Sequence, residues 1–315
     1  MSGSDLDLNA EEARRVSIIC VTYQHEKFAR AAVRSLLQQT YHPFEIIILD
    51  DASTDATADI IAAELSAHSH RSETRLIRNE RNLGYCGNVL KGVGMAQGEF
   101  ILLAHGDDIM LPAWAEKVVK VWRDEKVSLV VVNAEFVDEN AESLDRFRRP
   151  PGEAYDESFE TLARDGSNAL CGGSGMGFER QFFAGLNWLR DERAPFDIMM
   201  PFSACLADGA RFVPEPLLKK RLHPQNLSLG LAAERSTGIE RLMIEFDIFC
   251  NHLEYSFRME AELDRLNEAD PSRFSEIVSR IKPLVAVQTS EMARKLVRTR
   301  IELNRLGVKR PLGGK

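Results

Sequence analysis

Several signals that would assign this chain to a common class are missing. The five cysteines include no CxxC pair, so neither a zinc ribbon nor a thioredoxin-type motif is indicated. No apolar run approaches the roughly 20 residues that span a bilayer, and Met1–Arg15 is too polar for a signal peptide. A net charge of -8 argues against a general nucleic-acid binder. We therefore expect a cytoplasmic protein with reduced cysteines.

Catalytic motifs with short signatures are also absent. The sequence contains no GxxxxGK[ST] phosphate loop, no GxSxG nucleophile elbow and no HExxH zinc helix. Residues 171–177 are rich in glycine, but they do not match GxGxxG and do not open a βαβ unit. These absences exclude P-loop enzymes, α/β-hydrolases and zincins, and they give a dinucleotide-binding fold little support.

The first 135 residues alternate strand patterns with helix patterns. Val16–Val21, Ile46–Leu49 and Phe100–Ala104 are short apolar runs without alternation, which is typical of strands buried on both faces. Apolar residues at helical spacing separate them. This order predicts an α/β fold with a mixed, mostly parallel sheet and helices on both faces.

The rest of the chain is less regular and then becomes helical. Glycine and proline are few after Gly230, and helical patterns continue to the end. We therefore predict a flexible tail over 1–13, an α/β domain over 14–230 and an α-helical C-terminal extension over 231–315.

Paired aspartates follow two of the buried strands. In such sheets, ligands bind beyond the carboxyl ends of the strands. Asp51 there suits hydrogen bonds from a ribose or a base, although a turn with a helix cap explains Asp50 to Ser53 equally well. Asp107 and Asp108 repel each other unless a cation compensates them, and their hard oxygens suit Mg²⁺ or Mn²⁺. A solvated turn is the alternative.

Two further residues are candidates for chemistry. Asp197 stands among apolar residues, where its pKa would rise and suit a general base. The alternative is an N-cap for a helix that ends near Gly209. His223 follows a predicted strand and suits a metal or a phosphate, whereas a lone histidine there is more often structural.

The order and spacing of these motifs resemble one known family. Over about residues 15–230 the chain resembles family 2 glycosyltransferases of the GT-A fold, a Rossmann-like α/β fold. The segments that carry the resemblance are Val16–Tyr23, Ala32–Thr40, Glu45–Ser53, Arg81–Gly84, Ala96–Ile101, Gly106–Asp108, Pro195–Asp197, Pro214–Leu217, Arg221–His223 and Asn226–Ser228.

The resemblance implies a role for each candidate residue. It places Asp197 as the catalytic base. The residues that would bind the nucleotide are Thr22, Tyr23, Asp51 and Asp107. The residues that would hold the metal are Asp107, Asp108 and His223, with His223 at the diphosphate. The residues near the donor sugar and the acceptor would be Gly173, Ser174 and His105.

The resemblance also implies a reaction. A sugar would pass from a nucleotide-diphosphate sugar, linked to UDP or TDP, to an acceptor hydroxyl during polysaccharide, lipopolysaccharide or other glycoconjugate assembly. Mn²⁺ or Mg²⁺ would stabilise the leaving group. Asp197 would deprotonate the hydroxyl in a single inverting displacement, since no nucleophile for a retaining mechanism is apparent.

One departure from the family pattern keeps two alternatives open. Many members have Asp-x-Asp-Asp at the metal motif, where this chain has His105 as the first residue. A degenerate nucleotide-sugar binding module without turnover is therefore one alternative. A sugar nucleotidyltransferase is the less favoured one, because the turn after Val21 has no glycine.

The C-terminal residues suggest a partner. Thr289–Lys315 contains eight Lys or Arg and two Glu, together with Leu296, Val297 and Ile301. Such a stretch suits peripheral contact with the anionic inner face of a membrane, which fits a lipid-linked or glycan acceptor. A solvated terminal helix packed on its own domain is the more common outcome for a charged helix face, and a homodimer through these helices is a further alternative.

Overall fold

A computed structural model describes residues 16–67, 72–150, 155, 157–186, 188, 196–223 and 236–308. The predicted tail over 1–13, the predicted domain boundary at 230, Pro195 and the Asn226–Ser228 motif lie outside these residues. The chain divides into two compact units. The first comprises the described residues within Met1–Glu157 and Ala169–Leu222, and the second those within Ser158–Asn168 and His223–Lys315.

Parallel strands form one half of the sheet in the first unit. They are β1 (Val16–Thr22), β2 (Glu45–Asp50), β3 (Glu73–Arg78) and β4 (Phe100–His105), in the order β3-β2-β1-β4. The helices between them and after β4 are α1 (Ala29–Leu37), α2 (Thr57–Ala67), α3 (Gly84–Met95) and α4 (Trp114–Glu125).

Helices bury both faces of these strands. Ile18 of β1 belongs to the core that includes residues of α1 and α4. Ile19, on the other face, lies where Gly92 of α3 approaches so closely that a Cβ there would meet it at 2.8 Å. Burial on both faces explains why these runs are apolar without alternation, and the α/β prediction is confirmed.

Four antiparallel pairings and one parallel pairing, between Leu129–Val137 and Ala210–Arg221, complete a mixed sheet. The remaining strands are β5 (Ile109–Met110), β6 (Leu129–Val137), β7 (Ser143–Phe147), β8 (Gly177–Glu179) and β9 (Ala210–Arg221). The sheet continues from β4 in the order β8-β6-β9-β5, and β7 pairs with β6. Two short helices, α5 (Phe159–Asp165) of the second unit and α6 (Arg180–Ala184), precede α7 (Phe196–Leu206).

The strand β9 contains two prolines, Pro214 and Pro216, and is nevertheless continuous. Proline cannot donate a ladder hydrogen bond, which normally ends a strand. Here the register with β6 shifts at Asn133, whose Nδ2 donates to the Pro214 carbonyl oxygen at 3.0 Å. One long strand therefore runs through both prolines.

The second unit contains the predicted helical extension. Two long helices, α8 (Gly238–Ala269) and α9 (Pro271–Arg305), pack on each other, and α5 packs on α9. Asp270 caps α9 through a hydrogen bond from the Arg273 amide at 3.2 Å, with Pro271 in the first helical position. Among the described residues, no helix is long and apolar enough to cross a bilayer.

A buried carboxylate ties the strands together at the edge where they begin. Glu45 is fully buried, and its Oε1 accepts from the Ser17 hydroxyl at 2.7 Å and from the Gln97 amide at 2.6 Å. Its Oε2 accepts from Arg75 Nη2 at 2.5 Å. One side chain thus joins β1, β2, β3 and the approach to β4.

We predict that Glu45→Gln lowers the free energy of unfolding by about 2 kcal/mol, because it weakens a buried charge-assisted network. Urea denaturation measures this change. The control is Glu73→Gln, which alters an exposed carboxylate 3.6 Å from the same arginine and should change stability by less than about 0.5 kcal/mol. Equal effects of the two substitutions would contradict the assignment.

Candidate active site

The parallel strands bring the predicted nucleotide residues to one edge. Thr22 is paired with Asp50, and Val21 with His105. The Asp51 amide donates to the Thr22 carbonyl oxygen at 2.9 Å. Thr22 and Asp51 are buried there, whereas Tyr23 is 44% exposed. The structure therefore brings the ends of β1, β2 and β4 together.

Asp51 has a structural task as well as a predicted binding role. Its Oδ1 accepts from Asn79 Nδ2 at 2.7 Å and from the Leu83 amide at 2.8 Å. These bonds fix the segment that leads into α3. Any hydrogen bond from a ribose or a base would therefore fall to Oδ2.

Asp108 is a buried carboxylate with one oxygen unused. It is 2% exposed, and its Oδ1 accepts from the Arg221 amide at 2.9 Å. Among the described residues, neither Asp108 Oδ2 nor the buried Ser174 hydroxyl has a hydrogen-bond partner. Burial, together with the charge of Asp107, raises the pKa of Asp108 to about 6. The Ser174 hydroxyl is close enough to oppose this rise without reaching hydrogen-bond geometry.

His105 is held as a neutral ring beside the aspartates. Its Nε2 lies 3.2 Å from the Tyr85 hydroxyl, and the two rings meet edge to face at 5.2 Å. Burial lowers the pKa of His105 to about 3, against the opposing charge of Asp107. A neutral imidazole offers one donor and one acceptor nitrogen. The residue that departs from the family motif is therefore a polar, uncharged group.

These side chains fit a divalent cation. His105, Asp107 and Asp108 each present one ligating atom, and the three atoms lie within 4.8 Å of one another. Carboxylate oxygens suit Mg²⁺ and Mn²⁺, and an unsatisfied buried carboxylate oxygen costs free energy that a cation would recover.

Glycines shape the turn that carries Ser174. A Cβ on Gly172 would lie 2.5 Å from Arg148 Nη1, and one on Gly175, at a φ of 86°, would lie 2.3 Å from Leu218 Cδ2. A Cβ on Gly173 would lie 3.5 Å from His105 Cε1. Glycine is required at position 175, where φ is positive and the Leu218 and Val132 side chains approach the backbone closely.

Asp197 corrects one expectation. It lies in the first turn of α7, which ends at Leu206, and not at an N-cap. Its side chain is exposed, whereas Phe196 and residues 198–200 are buried, so the expected apolar enclosure is wrong. The apolar residues face inward because they follow the helical period, and Asp197 falls on the other face. Burial raises the pKa of Tyr85 and lowers the pKa of Arg148, and the charge of Asp197 acts on both residues in the upward direction.

The structure adds residues that sequence reasoning missed. Tyr85 packs against both His105 and Phe196, with 5.6 Å between the centroids of the Tyr85 and Phe196 rings. Arg221 Nε donates to the Asp107 carbonyl oxygen at 3.0 Å. Arg148 lies against Gly172. Arg221 belongs to the Arg221–His223 motif, whereas no sequence spacing relates positions 85 or 148 to the aspartates.

His223 lies at the start of the second unit, two residues after β9 ends, and it is buried. Its predicted role at the metal or the diphosphate stays a prediction.

Comparison with known proteins places the chain in a family. The sequence pattern described as "Glycosyl transferase family 2" matches residues 17–186, which is more than half of the chain. The chain belongs to glycosyl transferase family 2. The resemblance seen in the motifs is thereby confirmed, and the matched region includes the ends of β1, β2 and β4 and the glycine turn.

Relatives in family 2 match only part of their length. An uncharacterized glycosyltransferase of Haemophilus influenzae is 34% identical over 109 residues, which is 35% of this chain and 33% of that protein. Across the first relatives, the chain spans about a third to a half of the curated protein's length.

Solved structures similar to this family 2 chain support its fold. A mannosyltransferase of Pyrobaculum calidifontis, in complex with GDP-Man and Mn²⁺, has a TM-score of 0.58 at 16% identity over 95% of this chain and 76% of that one. TarS 1-349 of S. aureus, in complex with UDP-GlcNAc, has a TM-score of 0.54 at 14% identity over 95% and 94%. At these identities the likeness shows the GT-A-like fold.

We predict that Asp108→Asn stabilises the metal-free protein, because it removes a buried repulsion with Asp107 and supplies an amide donor. The melting temperature should rise by about 2–4 °C, which differential scanning calorimetry in EDTA measures.

Asp50→Asn is the matched control for this prediction. Asp50 is equally buried at the end of β2, but its carboxylate accepts hydrogen bonds from the Ser53 hydroxyl and the Ser53 amide. The same substitution should lower the melting temperature there. A fall with Asp108→Asn would show that its carboxylate is satisfied in the metal-free chain.

Proposed function

We propose that this chain is an inverting glycosyltransferase that moves a sugar from a nucleotide-diphosphate sugar to an acceptor hydroxyl. The observation that carries the proposal is that Asp108 Oδ2, buried beside Asp107 where β1, β2 and β4 end, has no partner among the described residues of this family 2 chain. UDP or TDP is the proposed donor nucleotide, and glycan, lipopolysaccharide or other glycoconjugate assembly is the proposed context.

The nucleotide would lie along the edge formed by β1 and β2. Thr22, Tyr23 and Asp51 would contact its base and ribose. Asp51 Oδ2 suits a ribose hydroxyl or a base N–H, because Oδ1 is already used. The exposed Tyr23 ring offers an apolar face to a base. Asp107 would complete the contact with the ribose.

Asp107 and Asp108 would hold a divalent metal ion, Mn²⁺ or Mg²⁺, with His223 as a further proposed ligand. When bound, such an ion stabilises negative charge on the leaving diphosphate. That a similar fold binds GDP-Man with Mn²⁺ supports this assignment.

Asp197 is the proposed base. It would accept the proton of the acceptor hydroxyl as that oxygen attacks the anomeric carbon from the face opposite the diphosphate. Its exposure leaves it accessible to an acceptor. Gly173, Ser174 and His105 would contact the donor sugar, and the neutral His105 ring would offer it a hydrogen bond without adding charge.

We predict that one nucleoside diphosphate from UDP, TDP, GDP, CDP and ADP raises the melting temperature only with Mn²⁺ present. At 100 times the dissociation constant, the stabilisation is about 2.7 kcal/mol. Asp108→Ala should abolish this shift. Asp197→Asn should keep the shift and lose product formation, and Asp124→Asn, an exposed control on α4, should keep both.

The products separate the alternatives in the same experiment. A glycosyltransferase releases a nucleoside diphosphate, whereas a sugar nucleotidyltransferase forms or consumes pyrophosphate. Binding without turnover on any acceptor would favour the degenerate binding module. No shift with any nucleotide would contradict the proposal.

The C-terminal half of α9 carries the proposed membrane contact. Val297 and Ile301 are 57% and 47% exposed, and Arg294, Arg298 and Arg305 are exposed at helical spacing around them. The exposed Glu302 lies one turn from Arg298 and Arg305, so the three arginines outnumber the acidic residue beside them. Three arginines would repel the same face of a second copy, so charge complementarity favours an anionic bilayer on the cytoplasmic side.

We predict that Val297→Ser with Ile301→Ser reduces binding to vesicles of phosphatidylcholine and phosphatidylglycerol by about tenfold, since apolar insertion is lost. Flotation measures the bound fraction. The control pair is Ile239→Ser with Phe257→Ser, which changes exposed apolar residues of α8. A homodimer in sedimentation that the α9 pair dissociates would instead assign the face to self-association.

A further inference from the structure

Arg148 stands on a backbone that the sheet holds in place. Its amide donates to the Ala134 carbonyl oxygen at 2.8 Å. The fully buried Asn133 side chain pairs with the next residue: its Nδ2 donates to the Arg149 carbonyl oxygen at 2.9 Å, and its Oδ1 accepts from the Arg149 amide at 3.0 Å. The position of the arginine is therefore fixed from β6.

The Arg148 guanidinium is aimed at the glycine turn. Its Nη1 donates to the Val132 carbonyl oxygen at 2.7 Å and fills the space left by the missing side chain of Gly172. Among the described residues, no carboxylate oxygen lies within ion-pair distance of it. A guanidinium has five N–H donors in a fixed fork that suits phosphate and carboxylate groups, so several remain for a ligand.

Lys220 approaches the same turn from β9. Leu218 meets the turn at Gly175, and strand alternation puts Lys220, two residues later, on the same face. Its charge acts on both His105 and Asp108. Within the part of the chain that the structure describes, its ammonium has no hydrogen-bond or ion-pair partner. Two half-buried cations thus flank the turn that carries Ser174.

The charges at this edge are unbalanced without an additional cationic group. Asp107, Asp108 and Asp197 together with a diphosphate carry more negative charge than one divalent ion neutralises. Burial lowers the pKa of Arg148 to about 10, and at neutral pH it remains charged. A half-buried cation of this kind is stabilised by an anionic ligand.

We propose that Arg148 and Lys220 form a subsite for a phosphate-type oxyanion beside Gly172, Gly173 and Ser174. The inference rests on the proposed function and adds Arg148 and Lys220 to the residues that would bind its ligands. The oxyanion has two sources: the diphosphate of the donor, or a phosphate or carboxylate group on the acceptor. In either case the fork of Arg148 orients the group and Lys220 adds charge.

The test of the donor source is pyrophosphate and UDP binding with Mn²⁺, measured by isothermal titration calorimetry. Arg148→Gln should weaken both by at least about tenfold, and Arg148→Lys should restore part of the affinity. Uridine should bind equally to all variants. The control is Arg146→Gln, two residues earlier on β7, where the exposed guanidinium lies over the Phe136 ring.

The acceptor source gives a different result. Binding of UDP and pyrophosphate would then be unchanged in Arg148→Gln, while inorganic phosphate would still bind wild-type protein saturated with UDP and Mn²⁺. Arg148→Gln would remove that second binding event. Lys220→Gln, on another strand, repeats each measurement if Arg148→Gln fails to fold.

Unchanged binding of UDP, pyrophosphate and phosphate in both variants would overturn the subsite and leave the proposed function intact. Failure of the proposed function looks different: wild-type protein would bind no nucleotide. Pyrophosphate binding that depends on Arg148 in such a protein would retain the oxyanion subsite without the nucleotide.

Discussion

Parallel pairing of β1, β2 and β4 forces their carboxyl ends to one edge, and the chain places carboxylates there. Because the strands are buried on both faces, Asp51 and Asp108 have little access to water. The Asp51 carboxylate accepts hydrogen bonds from the Asn79 side chain and from the Leu83 amide. Within the part of the chain that the structure describes, one oxygen of Asp108 has no partner. Asp51 therefore helps to hold the fold, whereas Asp108 has an oxygen available to a ligand.

The rest of the site is built around this carboxylate by later parts of the chain. β9 brings the Arg221 amide to Asp108 and the Arg221 guanidinium to the Asp107 carbonyl oxygen. The glycine turn before β8 brings Ser174 close to Asp108, and Tyr85 holds the His105 ring. At the opposite edge of the sheet, Glu45 links the beginnings of β1, β2 and β3 through hydrogen bonds. One half of the site is thus formed by the paired parallel strands, and the other half is assembled by contacts between residues distant in sequence.

The parallel half could be predicted because its signal is local. A strand buried on both faces has to be apolar throughout, and Val16–Val21 and Phe100–Ala104 show this directly. The aspartates followed because they come at the ends of such strands. The region between 135 and 223 could not be predicted as well. Its strands pair in antiparallel fashion or contain prolines, and in β9 the register with β6 shifts at Asn133, which donates to the Pro214 carbonyl oxygen.

Residue roles in that region depend on distance in space and not in sequence. Asp197 was expected among apolar side chains, but helical periodicity turns it outward. Arg148 belongs to none of the sequence motifs, and its guanidinium is located by the hydrogen bond to the Val132 carbonyl oxygen and by the space beside Gly172.

The most direct measurement of the central claim is anomalous diffraction at the manganese edge from crystals grown with Mn²⁺ and the bound nucleoside diphosphate. The account predicts one strong peak within coordinating distance of Asp108 Oδ2 and an Asp107 carboxylate oxygen. A strong peak elsewhere in the chain, with ordered nucleotide and these carboxylates unligated, would contradict it.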